Sequence, residues 1–85
     1  MPRKIILRWD DPKFERLPTI RDMGEELWHA LQDSGVGSAD IAEIDAARDH
    51  FVVLTPTRTL GAAMELIRAK LRRYNLLDVV RVERD

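Results

Sequence analysis

Residues 41–54, IAEIDAARDHFVVL, decide the fold, because they hold two short apolar runs separated only by a polar turn. In the first run, Ile44 and Ala46 alternate with Glu43 and Asp45, which is the period of a strand with one buried face. The second run, Phe-Val-Val-Leu, has the β-branched and aromatic composition of a strand. The sequence therefore predicts a hairpin at the middle of the chain.

The pairing of these two strands depends on the length of the turn. A two-residue turn places Phe51 and Val53 on the buried face, sets Val53 opposite Ile44, and directs Val52 and Leu54 outward. The turn contains no glycine, which tight hairpins favour. A longer loop and the opposite phase of the third strand therefore stay open.

One amphipathic helix is predicted before the hairpin. Apolar residues recur at helical spacing from Ile20 to Leu31. Thr19 is the predicted N-cap, and Gly35 is the predicted left-handed C-cap.

A second helix is predicted after the hairpin. Its apolar stripe runs from Leu60 to Tyr74. Thr57 or Thr59 is the predicted cap at its start, and Asn75 closes it.

Strands at the two ends of the chain complete the pattern, one around Ile5 to Trp9 and one from Val79 to Arg84. The order strand, helix, strand, strand, helix, strand predicts a single α+β domain over residues 1–85, a ferredoxin-like βαββαβ sandwich or alpha-beta plait. Right-handed crossovers then give an antiparallel sheet of order 4-1-3-2 with both helices on one face.

The other face of this sheet is predicted to be open and to meet a partner. Aliphatic residues run through its middle, and Glu43, Asp45 and Glu83 belong to its charged frame. The predicted partner-face residues are Lys4, Ile6, Arg8, Val52, Leu54, Val79 and Arg81. An aliphatic patch framed by charge is typical of an interface, so we expect a homodimer or another protein partner.

A candidate anion-binding site lies at the start of the second helix, where Thr57, Arg58 and Thr59 offer two hydroxyls and a guanidinium beside unpaired backbone N–H groups. Helix capping alone also accounts for both threonines. The segment is therefore a candidate site for a small ligand.

A candidate nucleic-acid patch is formed by Arg68, Lys70, Arg72 and Arg73 in the last turns of the second helix. Cations at a helix C-terminus also complement the helix dipole, and this is the interpretation we favour. The chain has 14 Lys and Arg against 15 Asp and Glu, a net charge of -1, whereas a polyanion binder needs a surplus of cations. Nucleic-acid binding is retained as an alternative function.

No complete catalytic or metal-binding constellation is present in the sequence. Glu26 and His29 have the helical spacing of metal ligands, but a bundle site needs further acids. Asp10 and Asp11 follow a strand and can bind Mg²⁺, although such residues are also ordinary turn formers before proline. We predict no catalytic residue, no metal and no cofactor, and favour a protein that is not an enzyme.

Several families share this element order, and their diagnostic residues are absent. RNA-recognition motifs stack bases on aromatic residues of the central strands, where the outward residues here are aliphatic. Metallochaperones need a cysteine pair, and acylphosphatases need a glycine-rich arginine loop where this chain has Asp10-Asp11-Pro12. Ligand-binding domains of the ACT type, which dimerise, are compatible without a diagnostic residue. No family is identified.

The sequence thus predicts a non-enzymatic protein-interaction or regulatory module. A nucleic-acid-binding module and a small ligand-sensing domain are the alternatives. The absence of cysteine fits a reducing compartment, and the N-terminal apolar run is too short for a signal peptide or a membrane span. We expect a cytoplasmic protein without membrane contact.

Overall fold

Four strands and two helices make up the structure, a computed structural model that describes residues 2–9, 17–39 and 49–84, with the backbone alone for Pro2 and Leu17. The strands are β1 (Pro2–Trp9), β2 (Ser38–Ala39), β3 (His50–Pro56) and β4 (Val80–Arg84). The helices are α1 (Leu17–Ser34) and α2 (Leu60–Arg73), and a short 3-10 turn, Thr57–Thr59, joins β3 to α2.

The strands form one antiparallel sheet of order β2-β3-β1-β4. This is the predicted order 4-1-3-2 read from the opposite edge. The predicted α+β class, with a four-stranded antiparallel sheet and two helices, is confirmed.

The hydrophobic core lies between the sheet and the two helices. In the central strands β1 and β3, every second residue is fully buried, as expected for strands with one face on the core. These residues are Ile5, Leu7, Trp9, Phe51 and Val53. They share one core cluster with the apolar stripes of both helices, namely Ile20, Met23, Leu27 and Leu31 of α1 and Ala63, Met64, Ile67 and Leu71 of α2. The predicted phase of the third strand in which Phe51 and Val53 face the core is therefore correct.

Both helices end in the same backbone motif. Gly35 has a φ of 68°, its N–H donates to Gln32 O, and the Val36 N–H donates to Leu31 O, each at 3.1 Å. This is a Schellman motif, in which a left-handed residue satisfies the last carbonyl groups of a helix. Asn75, with a φ of 58°, closes α2 through the same pair of bonds. Both predicted helix ends are confirmed.

The predicted start of the first helix is wrong, whereas that of the second is correct in position, because Thr59 is the residue directly before α2. Helix α1 begins at Leu17, two residues before the predicted cap Thr19, because Pro18 is tolerated in a first turn, where no N–H is needed. Thr57 lies in the 3-10 turn, and Thr59 precedes α2 without a side-chain capping bond. Its hydroxyl is instead used inside the protein, as described below.

The predicted register of β2 is also wrong. Ala39 lies opposite Val53, so Val53 does not pair with Ile44. Pairing begins directly after Gly37, where the chain passes so close to β3 that a Cβ atom would lie 2.6 Å from the Leu54 carbonyl oxygen. Residues 40–48, which hold the predicted second strand, lie outside the described residues.

The last strand begins one residue later than predicted. Val79 lies in the turn that follows α2, where its N–H donates to Leu76 O at 3.0 Å. Its side chain is half-buried and packs against the core cluster. The predicted place of Val79 on the partner face is therefore wrong. Val79 precedes β4, so the alternation of side chains along that strand does not set its direction.

Candidate functional site

The sheet face opposite the core carries an aliphatic strip, defined as Ile6, Val52 and Leu54. Antiparallel partners lie on the same face of a sheet. Ile6 is opposite Val52, and Lys4 is opposite Leu54. Ile6 and Val52 are half-buried, whereas Leu54 is 39% exposed and Lys4 is also exposed. The strip thus crosses the two central strands of the sheet.

A polar row lies beside the strip. Arg8 is opposite both His50 of β3 and Arg81 of β4, so the three side chains share the face. The Arg8 Nε atom lies 3.6 Å from Glu83 Oε2, an exposed pair that adds little stability. His50 Nδ1 lies 2.7 Å from Asp49 Oδ1, and this hydrogen bond lowers the pKa of Asp49.

The predicted partner-face residues are therefore brought together with one exception. Those that share the face are Lys4, Ile6, Arg8, Val52, Leu54 and Arg81. Val79 is the exception, as described above. Glu83 also lies on this face, opposite Ile6, whereas Glu43 and Asp45 fall outside the described residues.

The predicted nucleic-acid patch is divided between two roles. Glu26 of α1 accepts a hydrogen bond from Lys70 Nζ at 2.8 Å, and Arg73 Nε forms an ion pair with the same oxygen, Oε1, at 3.1 Å. Tyr74 donates its hydroxyl to Glu26 Oε2 at 2.5 Å. We call this group of four side chains the Glu26 clasp. It uses Lys70 and Arg73, two of the four cations of the candidate nucleic-acid patch.

The Glu26 clasp shifts two ionisation equilibria. The hydrogen bond from Lys70, followed by the one from Tyr74, lowers the pKa of Glu26. The hydrogen bond to Glu26 raises the pKa of Tyr74. Both groups are thereby held in the states that they have at neutral pH.

Arg68 and Arg72 make up the rest of the predicted patch. Both are exposed, and neither forms an ion pair with any residue of the described ranges. Arg68 and Arg72 can still contact a ligand, but Lys70 and Arg73 are paired with Glu26 instead.

The predicted anion site is also divided. The Thr59 hydroxyl is 3.1 Å from Val36 O and 2.9 Å from the hydroxyl of the buried Thr55, which itself donates to Val36 O at 2.5 Å. Thr59 therefore faces the protein. Thr57 and Arg58 are exposed and line an open groove of about 1010 Å³.

Metal binding finds no support in the described part of the chain. No group of three or more His, Asp or Glu side chains comes together there. Glu26 belongs to the clasp, and the His29 ring packs against Trp28 with ring centres 4.6 Å apart. Asp10 and Asp11 lie outside the described residues. Neither described helix has the length and apolar content that crossing a membrane requires.

Two features of the site region were not predicted. Thr55 gave a signal that could have been used, because it is a polar residue at the inward position that follows Phe51 and Val53 in the alternation of β3. The Glu26 clasp gave no such signal, since Glu26 and Lys70 are 44 residues apart in the chain.

Comparisons of the chain with protein-family models, curated proteins and solved structures find no match. The site must therefore be interpreted from its own chemistry.

Proposed function

We propose that this protein is a non-enzymatic interaction or regulatory module that binds a second copy of itself through the open face of its sheet. The fold that we propose with it is the ferredoxin-like sandwich, which has this element order and this strand order. The single observation that carries the proposal is the aliphatic strip across the two central strands, with Lys4, Arg8, Arg81 and Glu83 around it.

An apolar strip framed by charged residues has the composition of an interface with a dry centre and a polar rim. Two-fold symmetry is the commonest arrangement of protein oligomers and brings the same patch of both subunits together. Because the strip lies on the central strands, a two-fold axis through it places strip against strip. The lysine and arginine heads can then stay in water at the rim, which avoids the cost of burying unpaired charge.

Sedimentation velocity at micromolar concentration tests this proposal with the pair Leu54→Asp and Leu77→Asp. Leu54 lies in the strip, whereas Leu77 lies in the turn before β4, and the two side chains are similarly exposed, at 39% and 47%. We expect the wild type and Leu77→Asp to sediment as dimers and Leu54→Asp as a monomer, because the carboxylate would be buried in the interface.

Circular dichroism of all three proteins shows whether the fold is kept. A wild type that sediments as a monomer throughout this concentration range would contradict the proposal. So would a Leu54→Asp variant that is folded and still dimeric.

We do not propose nucleic-acid binding. Salt-dependent affinity scales with the number of phosphates neutralised, with a slope of about −0.9 per phosphate on duplex DNA. Because Lys70 and Arg73 are paired with Glu26, only Arg68 and Arg72 of the patch remain unpaired among the described residues, and two cations can neutralise few phosphates.

A further inference from the structure

A groove lies where the end of α1, the strand β2, the end of β3 and the 3-10 turn meet. Its volume is about 1010 Å³, at the upper end of the range for small-molecule sites. Leu54 and Pro56 give it an apolar wall, and Gly35 and Gly37 line it without a side chain. The groove can therefore accept an aliphatic group against this wall, while the rest of a ligand stays in contact with water.

The described lining of the groove carries one charged side chain. Arg58 is the charged side chain among the described lining residues, and it has no ion pair within the described ranges. Ser38 and Thr57 add hydroxyls to the lining. An arginine beside an apolar wall favours a ligand that is anionic at one end and apolar at the other.

The floor of the groove is fixed in place. Thr55 lines the groove, is 1% exposed, and is bonded to Val36 O and to the Thr59 hydroxyl. This network ties the end of α1 to the start of α2. A floor that is already ordered lowers the entropy cost of binding. Because Thr55 and Thr59 are occupied by each other and by Val36, recognition of the ligand falls to Arg58.

We propose that this groove binds an aliphatic carboxylate, with the carboxylate on Arg58 and the aliphatic chain against Leu54 and Pro56. A guanidinium pairs with a planar carboxylate through two parallel hydrogen bonds, so one arginine suffices. A phosphate dianion calls for more than one cation, and the described lining has one. The wall contains no aromatic ring in its described part, so a branched aliphatic group fits it better than a planar one.

The carboxylate can belong to a free small acid or to the C-terminal residue of a peptide. Two-dimensional amide NMR distinguishes these sources through titration with 4-methylpentanoate and with a tetrapeptide that ends in leucine. The neutral counterparts are 4-methylpentan-1-ol and the same peptide with an amidated C-terminus. Tighter binding of the free-acid peptide than of 4-methylpentanoate identifies a protein terminus as the ligand, and the reverse identifies a small acid.

Arg58→Gln is the test variant, and Arg68→Gln, an exposed arginine of α2 outside the groove, is its matched control. We expect amide shifts confined to Gly35, Gly37, Ser38 and Thr57 and their neighbours. Arg58→Gln should weaken binding about tenfold, as loss of a charge-assisted bond does, while Arg68→Gln leaves it unchanged.

The proposal is overturned if neither carboxylate shifts these amides, or if the neutral counterparts bind as well as the acids. Equal weakening by Arg68→Gln would also overturn it, since the effect would then be one of overall charge. Leu54 belongs to the aliphatic strip as well, so the ligand and a second copy of the protein are expected to compete for this side chain. The test therefore uses Arg58. A negative result leaves the proposed dimer standing.

Discussion

At the residue scale, Gly37 determines how the edge strand joins the sheet. The Cβ atom of any other residue would lie 2.6 Å from the Leu54 carbonyl oxygen and 3.4 Å from Thr55 Cβ. The close contact is with backbone, which cannot move aside as the end of a flexible side chain can. Glycine here is thus required by the approach of two strands, whereas Gly35 is required by its φ of 68°.

Gly37→Ala should therefore destabilise the protein. The new methyl group forces β2 away from β3, and overpacking of this kind costs about 1–3 kcal/mol. Gly61→Ala is the matched control, because Gly61 lies in α2 with open space around the position of a Cβ atom. It should gain about 0.4–1 kcal/mol from the reduced freedom of the unfolded chain. Urea unfolding of both variants measures the difference, and a Gly37→Ala variant as stable as wild type would contradict this account.

At the element scale, the Glu26 clasp joins the two helices. One carboxylate of α1 accepts from Lys70 of α2 and from Tyr74 just beyond it, and forms an ion pair with Arg73. The side chains of Glu26 and Lys70 are 29% and 21% exposed, so the clasp is partly shielded from water and salt.

The lowered pKa of Glu26 predicts an acid-sensitive contribution to stability. The clasp stabilises the fold above the ordinary pKa of 4.5, and this contribution is lost as pH falls through the lowered folded-state pKa. Glu26→Gln should therefore be less stable than wild type near neutral pH, and the difference should shrink on acidification. Thermal unfolding from about pH 7 to pH 3 measures this difference. Glu25→Gln, an exposed neighbour on α1, is the control, and a pH dependence equal to that of Glu26→Gln would show that the clasp is not its cause.

The elements differ in how far the sequence predicts them, for physical reasons. The spacing of apolar residues was sufficient to predict the helices and the central strands. The helix ends at Gly35 and Asn75 could be predicted because glycine and asparagine are the residues that most readily adopt a positive φ. Register was not predictable for the predicted second strand, because the alanines in its sequence give a weak difference between its two predicted faces. Val79 and Val80 are both apolar, so the start of β4 was uncertain by one residue. The aliphatic strip followed from alternation, whereas the clasp required the tertiary packing of two distant helices.

At the scale of the whole molecule, the two faces of the sheet differ in how far they are buried. One face is sealed by both helices, with Trp9 and Phe51 in ring contact at 6.2 Å among fully buried aliphatic residues. The other carries the aliphatic strip, in which Leu54 remains 39% exposed. A small domain has a limited core, so covering this second face with another copy adds apolar burial that one chain cannot supply.

Folding and dimerisation should therefore be linked, and the melting temperature should rise with protein concentration. For a dimer that unfolds to two chains, a tenfold increase in concentration raises the melting temperature by roughly 3–6 °C in a domain of this size. Leu54→Asp should remove this dependence, because its monomer unfolds at a temperature independent of concentration, while Leu77→Asp should keep it. Reversible thermal scans over a hundredfold range of concentration measure the slope. A wild-type melting temperature that stays constant across that range would mean that the open face contributes nothing to folding through self-association, even if a dimer forms at higher concentration.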